Sequence, residues 1–128
     1  MPTLPITEAS FAEAVKTPGV LLIDWWAPWC APCRMFAPIY EKVSARHADV
    51  RFAKVDTESQ PRLASIFQIR SIPTLMVIKD GRVIFSEAGL MQERPLEGLV
   101  KWAKELDLSK VPDGQLPQRP RPPASLGR

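Results

Sequence analysis

Cys30 and Cys33 are the only cysteines in the 128-residue chain, and they lie close together in the stretch DWWAPWCAPCR. Two thiols at i and i+3 at the start of a helix can close a small disulfide ring. The helix N-terminus stabilises a thiolate on the first of them. We therefore expect Cys30 to be an exposed thiolate and Cys33 to be shielded within the turn. Pro32 suits the first helical turn, where its missing N–H is no loss.

Other uses of a C-x-x-C pair fit this chain poorly. A structural zinc site needs four ligands, and His47 is the only further soft donor, so no metal site is predicted. A c-type haem site needs histidine after the second cysteine, where this chain has Arg34. A purely structural disulfide across so short a loop would restrain little unfolded-chain entropy. These comparisons favour a redox dithiol.

Asp24 lies within an apolar run, VLLIDWW, that precedes the cysteines. A near-continuous run of this kind is typical of a strand covered on both faces. Burying an ionised carboxylate there costs several kcal/mol unless it is paired or protonated. Because both faces of the run are apolar, alternation does not bring Asp24 to solvent, and its presence needs a chemical reason.

Strand and helix signals alternate along the rest of the chain. A capping box at Ser10–Glu13 predicts the start of a first helix, and Pro38 is expected to kink the helix that follows the cysteines. Asp80-Gly81 predicts a hairpin turn. The pattern predicts a central mixed β-sheet with helices on both faces. The strands are expected at 20–26, 50–56, 74–79 and 82–87, a short helix at 61–67, and a closing helix with Leu96, Leu99, Val100, Ala103 and Leu106 on one side.

Charge and composition limit the function classes. Residues 1–108 carry 13 Lys and Arg against 13 Asp and Glu, so the net charge of +3 belongs to residues 109–128. The predicted domain has no basic stripe, which argues against a nucleic-acid partner. No apolar run approaches the roughly 20 residues that span a bilayer, and the N-terminus lacks the pattern of a secretory signal. We expect a cytoplasmic, monomeric protein with no membrane partner.

The C-terminal segment, residues 109–128, has a different composition. It holds five of the 14 prolines and few apolar residues that could join a core. We expect a single domain at 1–108, followed by a disordered, partly polyproline II extension. An alternative role for the extension is docking to an SH3-like partner through Pro120–Pro123.

The stretch DWWAPWCAPCR, from Asp24 to Arg34, resembles the active-site segment of the thioredoxin family. Further matches are FAKVD at 52–56, SIPT at 71–74, Asp80-Gly81 and Gly89, so the resemblance covers about residues 3–107. Thioredoxins usually have Gly-Pro between the cysteines, whereas this chain has Ala31-Pro32. That difference leaves the fold expectation unchanged and bears on the reduction potential.

The resemblance implies the thioredoxin fold and roles for residues outside the cysteine pair. It puts Asp24 beneath Cys33 with Lys54 beside it, and a cis peptide bond before Pro73. In that position the Ile72 backbone would be free to pair with an extended substrate chain. The resemblance also implies an apolar collar around Cys30 that would bind substrate, formed by Trp29, Ile72, Pro73, Gly89 and Leu90. With the residues between the cysteines, the implied substrate-binding set is Trp29, Ala31, Pro32, Ile72, Gly89 and Leu90.

The implied activity is reduction of disulfides in substrate proteins by thiol-disulfide exchange. The resemblance implies an NADPH-dependent thioredoxin reductase as the recycling partner, so this chain needs no cofactor of its own. One alternative is an oxidase or isomerase of the same fold, for which the sequence lacks a signal segment and a polar inter-cysteine pair. Another is a co-chaperone or binding module that uses the apolar collar while the thiols stay idle.

Overall fold

A computed structural model describes residues 3–118 of the chain. Five strands and four α-helices are followed by a short 3₁₀ helix, and strands and helices alternate except for the consecutive strands β4 and β5. Their order along the chain is β1 (Thr3–Pro5), α1 (Glu8–Lys16), β2 (Val20–Trp26), α2 (Ala31–Ser44), β3 (Arg51–Asp56), α3 (Pro61–Ile66), β4 (Thr74–Lys79), β5 (Arg82–Ala88), α4 (Glu93–Glu105) and the 3₁₀ helix Leu108–Lys110.

The strands form one mixed sheet in the order β1-β3-β2-β4-β5. Strands β1 and β2 run parallel to β3, whereas β4 runs antiparallel to both β2 and β5. Strand β2 therefore lies at the centre of the sheet, and all its residues except Trp26 are buried. The predicted central mixed sheet is confirmed, and the central position of β2 explains its nearly continuous apolar sequence.

Helices cover both faces of the sheet. Buried side chains of α2 and α4, including Phe36, Tyr40 and Leu99, pack with Leu22 and Phe52 on one face. Side chains of α1 and α3 pack on the opposite face, against residues that include Leu21, Ile23 and Trp25. Alternation along β2 therefore assigns Leu22, Asp24 and Trp26 to the face covered by α2. Within residues 3–118, no helix has the length and apolar character needed to cross a membrane.

The first helix begins earlier than the sequence predicted. Its N-cap is Thr7, and the Ser10 hydroxyl accepts a hydrogen bond from the Thr7 N–H at 3.0 Å. The predicted capping box at Ser10–Glu13 was therefore wrong, because Ser10 lies in the first turn and not before it. Strand β1 was also missed: three residues ending in Pro5 carry no strand signal of their own and form a strand by pairing with β3.

The hairpin between β4 and β5 agrees with the sequence. Asp80 and Gly81 have φ values of 49° and 81°, the left-handed conformation that a two-residue type I′ turn requires. The Asp80 carboxylate also accepts a hydrogen bond from the Gly19 N–H at 2.8 Å. The turn is thereby tied to the loop that leads into β2.

The first part of the C-terminal segment packs near the start of β5. After the 3₁₀ helix, the Arg82 guanidinium donates to the carbonyl oxygens of Val111 at 3.0 Å and Gln115 at 3.2 Å, and also to that of Pro112. Val111, Pro112 and Gln115 thus have defined contacts with the domain. The Pro120–Pro123 cluster, on which the docking alternative depended, lies outside the described residues.

Candidate active site

The loop after β2 carries the two cysteines to the start of α2. Ala27 is fully buried, and its carbonyl oxygen accepts a hydrogen bond from the Cys30 N–H at 3.2 Å, which closes a tight turn. Cys30 is the N-cap of α2, and Pro32 lies in the first turn, where a proline is tolerated. The cysteines therefore lie at the helix N-terminus, as predicted.

Cys30 and Cys33 form a disulfide, with their Cα atoms 5.2 Å apart. The backbone N–H of Cys33 donates to Sγ of Cys30 at 3.2 Å. Exposure does not distinguish the two residues, because Cys30 is 4% and Cys33 2% exposed. The expected exposure of Cys30 is absent from this oxidised form, in which Trp26 and Ile72 pack against the pair. What distinguishes Cys30 is the helix N–H directed at its sulfur.

The start of β4 lies beside the cysteines. The carbonyl oxygen of Ile72 is 3.7 Å from Sγ of Cys30, and the Ile72–Pro73 peptide bond is cis. Pro73 is buried, and its carbonyl oxygen accepts a hydrogen bond from the Gly89 N–H at 2.8 Å. The structure thus brings Ile72 and Pro73 to the disulfide and links Gly89 to them.

The remaining residues of the expected collar differ in their surroundings. Trp29 is 65% exposed, and Ala31 and Pro32 are also exposed on the surface next to the disulfide. Leu90 is half-buried and packs against the core between the sheet and helices α2 and α4, not against the cysteine pair. The exposed apolar surface that directly adjoins the disulfide is therefore formed mainly by Trp29, Ala31 and Pro32.

Asp24 is completely buried in β2, and neither of its carboxyl oxygens has a hydrogen-bond partner among the described residues. Burial raises the pKa of this carboxyl from 3.8 to about 7, and the positive charge of Lys54 partly opposes the rise. A group with this pKa can both accept and release a proton near neutral pH.

Lys54 is the residue of β3 paired with Asp24 in the parallel β2–β3 register. Its ammonium group lies 4.7 Å from the centroid of the Trp26 ring, within the range of a cation–π interaction. Lys54 and Trp26 also line an open pocket of about 550 Å³, together with Glu41 and other residues. Solvent therefore reaches the residues next to Asp24, although Asp24 itself is buried.

Tyr40 and Arg34 make contacts around the site that the sequence did not indicate. The Tyr40 hydroxyl is buried and donates to the Ala53 carbonyl oxygen at 2.8 Å. Its pKa is raised well above 10, chiefly by burial and further by the negative charge of Asp24. The Arg34 guanidinium donates to the Pro28 carbonyl oxygen at 2.9 Å. The sequence signal for Tyr40 was a single tyrosine on an otherwise apolar helix face.

His47 belongs to a surface ion network away from the cysteines. Its Nε2 atom lies 2.6 Å from the Glu97 carboxylate, and its Nδ1 atom 3.2 Å from the Lys104 ammonium group. These contacts join the end of α2 to α4, in agreement with a helix-end role. In the part of the chain that the structure describes, no three His, Cys, Asp or Glu side chains are grouped to hold a metal ion.

Comparison with known proteins identifies the family. The thioredoxin family model matches residues 2–105. Thioredoxin 1 of Synechococcus elongatus is 41% identical over 93 residues, which cover 71% of this chain and 87% of that protein. Thioredoxin of Bacillus subtilis is 38% identical over 101 residues, which cover 78% of this chain and 96% of that protein. The structure of a mutant thioredoxin from Halobacterium salinarum superposes on this chain with a TM-score of 0.76 at 30% identity. The match covers 82% of this chain and 93% of that protein.

These matches agree with the geometry of the site. They extend over nearly all of the chain from β1 to the end of α4, and the paired cysteines lie at the N-terminus of α2. Thioredoxins are protein-disulfide oxidoreductases, and the Cys30–Cys33 pair is close enough to form the disulfide that this activity requires. The chain therefore belongs to the thioredoxin family and is a thiol-disulfide oxidoreductase.

Proposed function

We propose that the chain works as a protein-disulfide reductase in which Cys30 attacks the substrate and Cys33 resolves the intermediate. The observation that carries this assignment is the hydrogen bond from the Cys33 N–H to Sγ of Cys30. This N–H belongs to the first turn of α2, where unpaired backbone donors and the helix dipole favour negative charge. The same interaction would lower the pKa of the Cys30 thiol in the reduced protein.

The reaction consists of two exchanges that conserve one disulfide bond. The Cys30 thiolate attacks a substrate disulfide, so a bond forms between Cys30 and one substrate sulfur while the other substrate sulfur leaves as a thiolate. Cys33 then loses its proton and attacks Sγ of Cys30. The mixed disulfide breaks, the Cys30–Cys33 disulfide forms, and the second substrate sulfur leaves. The substrate gains two electrons, and this chain loses them.

Asp24 is proposed as the group that takes the proton from Cys33. Its pKa of about 7 suits a base that works near neutral pH. Its carboxyl oxygens have no hydrogen-bond partner within residues 3–118, which leaves them available for a proton. Lys54 favours the charged carboxylate and so keeps the pKa of Asp24 from rising further. We assign Lys54 to this tuning role.

Substrate binding is proposed at the start of β4. An extended substrate segment would pair with the backbone of Ile72, beside Pro73, while its side chains contact the exposed surface of Trp29, Ala31 and Pro32. Gly89 would border this segment through its hydrogen bond to Pro73. For Leu90, whose side chain packs mainly into the core, we propose a smaller contribution at the edge of the collar.

Recycling of the oxidised protein is proposed to depend on an NADPH-dependent thioredoxin reductase. The partner would then hold the nicotinamide cofactor, and the substrate of this chain would be protein disulfides. Reducing compartments keep such dithiols in the working state, so we propose that the protein acts in the cytoplasm as a monomer. Membership of the thioredoxin family supports both the substrate class and the general class of recycling enzyme.

The experiment that tests the reductase assignment is the reduction of insulin disulfides by dithiothreitol, followed as turbidity. We expect the wild-type protein to accelerate the reaction strongly over dithiothreitol alone. Cys30→Ser should abolish the acceleration, and Cys33→Ser should form a stable mixed disulfide. If the wild-type protein gave no acceleration, a binding module that uses the apolar collar would replace the reductase assignment.

A further inference from the structure

Arg34, directly after the second cysteine, reaches back to the loop before the first. Its Nη1 atom donates to the Pro28 carbonyl oxygen at 2.9 Å. Its backbone N–H donates to the Cys30 carbonyl oxygen at 3.1 Å. The side-chain bond ties α2 to the loop on the N-terminal side of Trp29, whereas the backbone bond is the first hydrogen bond of α2 itself.

Trp29 depends on this loop for its position. Its side chain is 65% exposed and is not part of the buried core clusters of residues 3–118. Two contacts fix the backbone around it: the turn from the Cys30 N–H to the Ala27 carbonyl oxygen, and the Arg34 bond to Pro28. Because few side-chain contacts hold the indole, its direction follows from the backbone conformation of residues 28–30.

Within the described residues, no carboxylate competes with the Pro28 carbonyl oxygen for the Arg34 guanidinium. Among residues 3–118, Arg34 forms no ion pair, whereas Arg46, in the turn after α2, pairs with both Glu93 and Glu97. The carbonyl of Pro28 is therefore the main acceptor for the Arg34 side chain. A planar guanidinium with several donors suits a contact made from a helix to a loop carbonyl.

We propose that Arg34 is a positioning residue that holds Trp29 in the orientation in which it contacts a protein substrate. This inference rests on the proposed reductase function. A loop ordered before binding loses less conformational entropy when the substrate docks, so the contact strengthens substrate binding. The hydrogen bond from Arg34 to Pro28 takes no part in the exchange reactions of the two cysteine sulfur atoms. Its loss should therefore weaken binding of large substrates that touch Trp29 and spare small disulfides that do not.

The test compares Arg34→Met with Arg62→Met on two substrates. Arg62 is a matched control, because it loses the same charge from an exposed site on α3, where its partner is Glu8 at 3.3 Å. We expect Arg34→Met to raise KM for insulin about fivefold with little change in kcat, which corresponds to about 1 kcal/mol. Reduction of a small aromatic disulfide should proceed at the wild-type rate. Arg62→Met should match the wild type on both substrates.

A double-mutant cycle with Trp29→Ala separates positioning from a general effect of charge. If Arg34 acts through Trp29, Arg34→Met should raise KM no further once the indole is absent. An equal rise in KM for insulin with and without the indole would overturn the proposal. An unchanged KM for Arg34→Met, or equal slowing of the reduction of insulin and of the small disulfide, would also overturn it. Wild-type activity on insulin is measured first, so failure of the reductase assignment is distinguishable from failure of this inference.

Discussion

Asp24 and Lys54 are paired in the register of β2 and β3, yet no hydrogen bond within residues 3–118 joins their side chains. The Lys54 ammonium group lies over the Trp26 ring, and both carboxyl oxygens of Asp24 are left without a partner. The lysine therefore acts on the carboxyl through space, which offsets only part of the cost of burial. Asp24 consequently has a pKa of about 7 in the folded protein.

We expect Asp24→Asn to stabilise the oxidised protein at pH 8. The folded-state pKa of about 7 exceeds the ordinary value of 3.8, so the folded protein binds the Asp24 proton more tightly than the unfolded chain does. The resulting contribution to the free energy of unfolding is fully present below about pH 4 and is lost as the pH rises through 7. The full shift corresponds to about 4 kcal/mol as an upper limit. Denaturant unfolding from pH 4 to 8 measures the free energy of unfolding of the wild type and of the variant. In the difference between these two free energies, the contributions of the other carboxyl groups cancel. A variant that is less stable at pH 8 would show that Asp24 has a structural role.

The same substitution should slow resolution of the mixed disulfide. Asn cannot accept the Cys33 proton, and loss of a general base costs about 10²-fold or more in rate. Stopped-flow mixing of the reduced protein with a disulfide peptide separates the first attack by Cys30, which should change little, from the later Cys33 step. Asp49→Asn, which removes an exposed carboxylate that pairs with Lys104, is the control. Resolution at the wild-type rate would require another route for the proton.

Cys30 should react before Cys33 when the reduced protein is alkylated. Both residues are nearly buried in the oxidised form, so the expected difference comes from the Cys33 N–H that stabilises a Cys30 thiolate. Limited labelling with iodoacetamide across a pH series, followed by mass spectrometry, measures the order and the pKa. Faster labelling of Cys33 would reverse the proposed roles. The prediction is independent of the insulin assay, because it needs no protein substrate.

Truncation should divide the C-terminal segment into two parts. Removing residues 119–128 should leave the melting temperature nearly unchanged, since their sequence offers little apolar surface for a core. Removing residues 109–128 also deletes the acceptors of Arg82 at Val111, Pro112 and Gln115. A fall of a few degrees is expected, because a shift of 1 kcal/mol moves the melting temperature by roughly 4–8 °C in a small domain. Equal melting temperatures for both truncations would show that the Arg82 contacts add no stability.

The sequence alone predicted most of the strands and helices, and the two sulfur atoms of a dithiol. The apolar run VLLIDWW predicted a strand covered on both faces, and Asp80-Gly81 predicted the hairpin, because each pattern has a local physical cause. The spacing of Cys30 and Cys33 predicted a dithiol at a helix N-terminus for the same reason. Strand β1 and the Thr7 cap escaped prediction, since a three-residue strand depends on its partner and several residues near Thr7 could cap a helix.

Only the tertiary structure decided what surrounds those atoms. The sequence could show that Asp24 lies in an apolar strand, but the position of the Lys54 ammonium group over Trp26 depends on the pairing of β2 with β3. The contacts of Ile72 with Cys30 and of Arg34 with Pro28 likewise depend on how β4 and α2 meet the loop after β2. Local patterns set strands, turns and helix ends because neighbouring residues determine backbone conformation. The pKa of a buried carboxyl and the placement of a loop depend on residues distant in sequence, and folding alone brings these together.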